Sequence, residues 1–276
     1  MATVETHGEP CPKTEDMAKM RIAARSAVQH FEPMLAQFLA TIDIVVSKGR
    51  LCFTDGKTIF IGYDFCQKLP RGAVFAVYHE MWHMGFNHLA RFEAMKGRPK
   101  DHALYNVLTD CKINSLAHQY INFSSSEWKK YEDAGLVHAG NIEKILDGEL
   151  KAGWRAGLGS IKFSETDQAF RALQPYCKEG MDFSKYLLEG DGALGQGVTE
   201  EALRDVERRI TQSISSAKSR GVGTGSAVEE LDEIWGTPHV PWKRIISNSI
   251  MSRLKKAKTW QRFHKKTFYI GGRRSS

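Results

Sequence analysis

The sequence lacks the features expected of a secreted or membrane-spanning protein. Its five cysteines are widely spread and include no Cys-x-x-Cys pair, which argues against both a disulfide scaffold and a zinc ribbon. The best apolar run, Met34 to Val46, is short and contains Gln37 and Asp43, so no segment is expected to cross a bilayer. The N-terminus is acidic where a secretory leader would be basic and then apolar. We therefore expect a cytoplasmic protein with reduced thiols and no membrane contact.

Acidic residues are missing from the C-terminal end. Residues 242–276 contain eleven of the 39 Lys and Arg side chains and no Asp or Glu, and aromatic residues are interspersed among them. Such a segment can bind nucleic-acid phosphates or an acidic partner. It can equally lie over an acidic face of its own domain, because the rest of the chain has 28 basic against 32 acidic side chains. We favour the second interpretation and keep nucleic-acid binding as an alternative.

One short pattern predicts a metal-binding site. His79, Glu80 and His83 form His-Glu-x-x-His, in which the two histidines lie one turn apart on the same face of a helix. Both imidazoles can then reach one metal ion, with Glu80 placed to act as general base on a water molecule. The pattern is short, but the segment Gly72 to Leu89 around it is apolar, follows Pro70 and contains no proline. These features are typical of a buried helix.

A catalytic zinc site usually has three protein ligands, and two residues are candidates for the third. His88 is close in sequence, but on a continuous helix it would point about 140° away from His83. It could reach the metal only if the helix broke, and Gly85 is the obvious place for a break. Asp110 is the preferred candidate, because it lies on a second predicted helix, one turn before Asn114. The other candidate would then orient a ligand.

The order of these features resembles a known family. The resemblance is carried by Thr54-Asp55-Gly56, the aromatic-rich strand Ile59 to Tyr63, the helix with His79 to His88 followed by Arg91, and then Asp110 and Asn114. It is similar to the bacterial and phage metallopeptidase domain that precedes a von Willebrand factor A-like domain in many proteins. The resemblance implies a zincin-like α+β fold, mostly helical, with a small β-sheet beside the His-Glu-x-x-His helix.

The resemblance also bears on partners. It implies an AAA+ ATPase partner of the MoxR type. The Asp-x-Ser-x-Ser pattern typical of the A-like domain occurs nowhere in the chain. We therefore expect a stand-alone metallopeptidase module.

The organisation along the chain follows from composition and periodicity. We expect a disordered segment at 1–15, a metallopeptidase domain at 16–235 with glycine-rich insertions, and a basic segment at 236–276 packed on or appended to it. The insertions at 153–159 and 189–197 are expected to be mobile loops. Predicted helices are 16–40 (interrupted near Pro33), 71–95, 101–121, 199–219, 227–235 and 240–256, and the family resemblance implies another at 141–146. Predicted strands are 42–46 and 57–63, joined by the Asp55-Gly56 turn, with a further short strand at 51–53.

These features predict a zinc-dependent peptidase. Zn²⁺ would be held by His79, His83 and either Asp110 or His88, with Glu80 as general base in the hydrolysis of a peptide or protein substrate. Candidate donors to the oxyanion are Tyr105, Asn114 and Arg91, each with a structural role as the simpler interpretation. Two alternatives remain: a catalytically silent metal-binding adaptor or assembly protein, and a nucleic-acid-binding protein that uses the basic C-terminal segment.

Overall fold

A computed structural model describes residues 14–49, 52–88, 91, 92, 95, 101–178, 183, 200–221, 231 and 234. Within these residues the protein is mostly helical, with one three-stranded mixed sheet, so the α+β prediction is confirmed. The helices are α1 (Thr14–Phe31), α2 (Ala36–Thr41), α3 (Tyr63–Lys68), α4 (Gly72–Gly85), α5 (His102–Tyr120), α6 (Ser125–Asp133), α7 (Ile142–Glu149), α8 (Trp154–Leu158), α9 (Thr166–Leu173) and α10 (Glu200–Ser219). The strands are β1 (Asp43–Ser47), β2 (Phe53–Thr54) and β3 (Thr58–Gly62).

The first two helices are separated at Pro33, as the sequence predicts. Proline lacks the N–H that a continuing helix needs, and the chain turns between Phe31 and Ala36 before α2 begins. Helix α1 starts at Thr14, so Thr14 and Glu15 are helical although they fall in the segment predicted to be disordered. The remainder of that segment, residues 1–13, lies outside the described residues.

The sheet differs from the prediction in its pairing. Strand β1 pairs in parallel with β3, and the antiparallel hairpin is formed instead by β2 and β3. The Asp55-Gly56 turn joins these two, with Gly56 at a φ of 83° and the Asp55 carboxylate accepting hydrogen bonds from the backbone N–H groups of Lys57 and Thr58. The prediction that the turn joins β1 to β3 was therefore wrong. The turn was recognised, but it joins β3 to the short strand predicted at 51–53, which the structure places at Phe53–Thr54.

Helix α4 is buried almost all round: 12 of its 14 residues are buried. It packs against α1, α3, α5 and the sheet. One apolar cluster surrounds it, and a second lies among α5, α7, α8 and α9. Helix α5 contributes to both, with Ile113 and Ala117 in the first and Leu104 and Leu108 in the second. The two predicted metal-site helices therefore lie at the centre of the described structure.

One of the two glycine-rich insertions is ordered. Residues 154–158 form the short helix α8 between Gly153 and Gly159, both of which have a positive φ. Trp154 and Leu158 are buried in the second apolar cluster, and the indole of Trp154 donates a hydrogen bond to Asp147. The expectation of a mobile loop here was wrong, because two large apolar side chains anchor the segment. The other insertion, 189–197, lies outside the described residues.

Toward the C-terminus, helix α10 confirms the prediction for 199–219. Its buried Ser213 accepts a hydrogen bond from the Phe38 N–H and donates one to the Met34 carbonyl, which ties α10 to α2. Of the predicted helices at 227–235 and 240–256, only Leu231 and Ile234 are described, and both are helical. Residues 236–276 lie outside the described part, so the placement of the basic segment stays a prediction. No helix in the described ranges is both long and apolar enough to span a bilayer.

Candidate metal centre

The start of α4 depends on a close approach between helices. A Cβ on Gly72 would lie 2.8 Å from the Cα of Cys66, so only glycine lets α4 begin this close to α3. Arg71 precedes it with a φ of 55° and donates a hydrogen bond to the Ile121 carbonyl, just beyond the end of α5. These contacts fix where α4 enters the core and how it lies against α5.

Helices α4 and α5 bring three ligand-type side chains together. The Nε2 atoms of His79 and His83 lie 2.7 Å apart. The Oδ1 atom of Asp110, from α5, lies 3.1 Å from His83 Nε2 and 3.6 Å from His79 Nε2. All three residues are at most 4% exposed. His79, His83 and Asp110 therefore form a buried group that can hold a metal ion.

The hydrogen bonding of His79 presents its Nε2 lone pair to this group. Its Nδ1 lies 2.8 Å from Asn114 Oδ1, while the Asn114 Nδ2 donates to the Val137 carbonyl at 2.8 Å. Because the amide nitrogen is used on Val137, the amide oxygen faces His79 and accepts the Nδ1 proton. The neutral ring then carries no proton on Nε2, which is the form that binds metal.

The geometry of the three ligand atoms fits a tetrahedral site. Bonds of about 2.0–2.1 Å at tetrahedral angles separate ligand atoms by about 3.3 Å, and the observed 2.7, 3.1 and 3.6 Å lie on either side of this value. Asp110 Oδ1 is buried and makes no hydrogen bond to the described residues, despite its short distances to both rings. A buried carboxylate oxygen left in this state is unusual and fits a cation between the three groups.

The electrostatic environment keeps Asp110 ionised. Burial by itself would raise the pKa of Asp110, but the close approach of His79 and His83 outweighs it and lowers the pKa below the ordinary 3.8. A carboxylate is the form of Asp110 that can act as a ligand. With both imidazoles in the neutral form that binds metal, the buried group offers one negative charge to a cation.

His88 lies on the other side of His83. Its Nδ1 is 3.2 Å from the Nδ1 of His83, and the Nε2 of His83 faces His79 and Asp110. The structure thus brings Asp110, and not His88, to the two Nε2 atoms. Helix α4 ends at Gly85, where the break was expected, and the chain then reverses at Asn87, which has a φ of 52°, before it reaches His88.

Gly85 also has a packing role. A Cβ at this position would lie 3.3 Å from the Leu35 side chain and 3.4 Å from the Trp82 ring. The contact with Leu35 is tighter than an ordinary one, so glycine lets Leu35, the residue before α2, pack closely on α4.

Glu80 is fully buried on α4, at 0% exposure. At 100° per residue it lies about 60° around the helix from His83, which places it beside the metal-binding face. The role of Glu80 as general base stays a prediction.

The three oxyanion candidates all have protein partners. The Arg91 guanidinium contacts Asp167 at 2.9–3.0 Å, and the Tyr105 hydroxyl donates to the same carboxylate at 3.1 Å. Asn114 is bonded to His79 and Val137. Each therefore has the structural role that was its simpler interpretation.

Sequence reasoning missed two residues near the site. Asp167, in the first turn of α9, ties that helix to Arg91 and Tyr105, and it follows α5 too distantly for any spacing to suggest this. Lys112 is 8% exposed, with its Nζ 4.2 Å above the Phe86 ring, although a charged residue on a helix is ordinarily assigned to the surface.

Comparison with known proteins bears on the same segment. Residues 16–133 match a family model described as "Putative metallopeptidase domain". The match runs from α1 to the end of α6 and contains His79, Glu80, His83 and Asp110, in agreement with the resemblance noted in the sequence. Comparisons with curated proteins and with solved structures gave no match. The segment that builds the buried three-residue group, residues 16–133, is therefore similar to this metallopeptidase family.

Proposed function

We propose that the protein is a zinc-dependent peptidase in which His79, His83 and Asp110 hold Zn²⁺. The observation that carries the proposal is the convergence of two Nε2 atoms and one carboxylate oxygen within 3.6 Å of one another in the core. Two imidazoles and one carboxylate form a ligand set found in catalytic zinc sites, which keep a fourth position for water or substrate. His88 is not a ligand in this proposal.

Zinc in this position would lower the pKa of a water molecule to about 7 and polarise a peptide carbonyl. Glu80 accepts a proton from water as the water oxygen bonds to the carbonyl carbon. It then donates this proton to the departing nitrogen as the C–N bond breaks, so that the products are a carboxylic acid and an amine, which exchange a proton to become a carboxylate and an ammonium group.

The decisive variant is Glu80→Gln, which keeps the size of the side chain but removes its basicity. We expect the zinc content to stay at that of the wild type and the rate of peptide hydrolysis to fall by about 10²–10⁴-fold. Zinc content is measured on the purified protein by elemental analysis, and hydrolysis on a peptide library. Glu207→Gln, at an exposed position of α10, is the matched control and should change neither.

The burial of the candidate metal centre favours the alternative of a catalytically silent metal-binding protein. His79, Glu80, His83 and Asp110 are all at most 4% exposed, which suits a metal centre that has no substrate to admit. A wild-type protein that binds zinc but hydrolyses no member of the library would favour the metal-binding adaptor over the peptidase. If Glu80→Gln hydrolysed peptides as fast as the wild type, the proposed mechanism would be wrong.

The hypotheses on partners and location have a different basis. An AAA+ ATPase partner rests on the family resemblance, nucleic-acid binding rests on residues 242–276, and a cytoplasmic location rests on composition. They stay predictions. Retention on heparin that falls with salt and is lost on deletion of 242–276 would support nucleic-acid binding.

A further inference from the structure

Three polar residues occupy successive turns of α5 on the side that meets the candidate metal centre. Asn106, Asp110 and Asn114 are spaced by four residues, which puts them on one face of the helix. Their exposed fractions are 9%, 4% and 1%. Access to solvent therefore increases along this face from Asn114 toward Asn106.

At the Asn114 end of this helix face, the polar side chain is already bonded to other protein groups. Asn114 is bonded to His79, and Asp110 lies closer to His83 than to His79, so α4 and α5 run antiparallel at this contact. One turn further along, beyond His83, the α5 residue is Asn106. A substrate group that approaches Asp110 along this face has to come from the Asn106 side.

The side chain of Asn106 has no hydrogen-bond partner among the described residues. Its backbone carbonyl accepts a hydrogen bond from Thr109, but its side-chain amide makes none to the described part of the protein. Amides that are nine-tenths buried ordinarily have a partner. Tyr105 and Arg91, the other donors near the site, are held by Asp167.

We propose that Asn106 is a catalytic residue: its Nδ2 donates a hydrogen bond to the carbonyl oxygen of the scissile peptide and to the oxyanion that forms there. The inference rests on the proposed peptidase function. Side chains one helical turn apart have Cβ atoms about 5–6 Å from each other, which brings an oxygen atom beside Asp110 within hydrogen-bond reach of the Asn106 amide. A donor placed there acts on charge that develops during the reaction.

The test compares Asn106→Leu, which has a similar volume and no donor, with Asn106→Gln, which keeps the amide. We expect Asn106→Leu to lower kcat by about 10²–10³-fold with little change in KM or zinc content, and Asn106→Gln to recover part of the loss. Gln212→Leu, which removes an amide from an exposed position of α10, is the control and is not expected to alter kcat. An unchanged kcat in Asn106→Leu, or a loss of zinc, would overturn the inference.

A second measurement separates this inference from the peptidase proposal. A phosphinic peptide, whose charged oxygens mimic the oxyanion, is titrated by calorimetry into the zinc-loaded wild type and into Asn106→Leu. If the wild type hydrolyses no peptide but binds the phosphinic peptide at least tenfold more tightly than the variant, the peptidase proposal fails and the role of Asn106 as an oxyanion donor stands. Equal affinities, or no binding of zinc or of the phosphinic peptide by the wild type, would overturn the inference.

Discussion

At the residue scale, the contact between His83 and His88 has only one consistent protonation. Their Nδ1 atoms lie 3.2 Å apart, so one must donate and the other accept. Burial, together with the positive charges near it, lowers the pKa of His88 well below 6.5, so His88 is neutral. If His83 uses Nε2 for metal, its proton is on Nδ1 and His88 Nδ1 accepts it. His88 would then orient the imidazole of His83 as Asn114 orients that of His79.

This arrangement predicts different results from two replacements of His88. His88→Leu removes the acceptor, and we expect zinc affinity to fall by about 10–100-fold. His88→Asn places an amide oxygen near the position of the lost Nδ1 and should recover much of the affinity. Competition with a chromophoric chelator measures the dissociation constants. Equal zinc affinity in His88→Leu and the wild type would show that His88 does not position His83.

At the scale of the element, the C-terminal end of α4 decides where His88 goes. Asn87 adopts a left-handed backbone conformation with a φ of 52°, and its N–H donates to the Met84 carbonyl. Asparagine and glycine tolerate this conformation, whereas β-branched residues do not. A continuous helix would have pointed His88 away from His83. The reversal at Asn87 turns His88 back toward the second ring nitrogen of His83.

We therefore predict opposite outcomes for two variants of Asn87. Asn87→Gly should leave the free energy of unfolding within about 0.5 kcal/mol of the wild type, because glycine adopts a positive φ without strain. Asn87→Val should lower it by about 1–2 kcal/mol. Urea unfolding of the two variants side by side measures the difference. A valine variant as stable as the glycine variant would contradict the left-handed conformation at this position.

At the scale of the whole molecule, a half-buried acid connects the N-terminal helix to the metal-site helix. The Tyr78 hydroxyl donates a hydrogen bond to Glu32 at 3.0 Å. Burial raises the pKa of Glu32 from 4.5 to about 7, although the hydrogen bond from Tyr78 opposes the rise. The folded protein therefore keeps a proton on Glu32 over a pH range in which the unfolded chain has lost it.

The sign of the resulting pH dependence follows from proton linkage. Between about pH 4.5 and pH 7 the folded state binds more protons at Glu32, so this residue makes the protein less stable as pH rises through that window. Glu32→Gln should remove the effect and gain about 2 kcal/mol relative to wild type above pH 7, after allowance for partial exposure. Urea unfolding from pH 4.5 to 8 measures the difference between variant and wild type. A difference that does not change with pH would contradict the raised pKa.

The sequence by itself determined the local features of this protein. The apolar run around His79 and His83 required a buried helix, Pro33 separated α1 from α2, and the spacing of Asp110 and Asn114 put both on one face of a second helix. Each of these conclusions depends on interactions within about one helical turn or on the burial of a contiguous run. Local periodicity reports such interactions directly.

Only the tertiary structure decided between alternatives that have the same local pattern. Asp110 and His88 were both open to the third position, and the antiparallel packing of α4 on α5 brought Asp110, and not His88, to the Nε2 atoms of the two histidines. The parallel pairing of β1 with β3 and the partnership of Arg91 with Asp167 were likewise absent from the sequence pattern. These contacts join residues far apart in the chain, and their choice depends on the packing of the whole core.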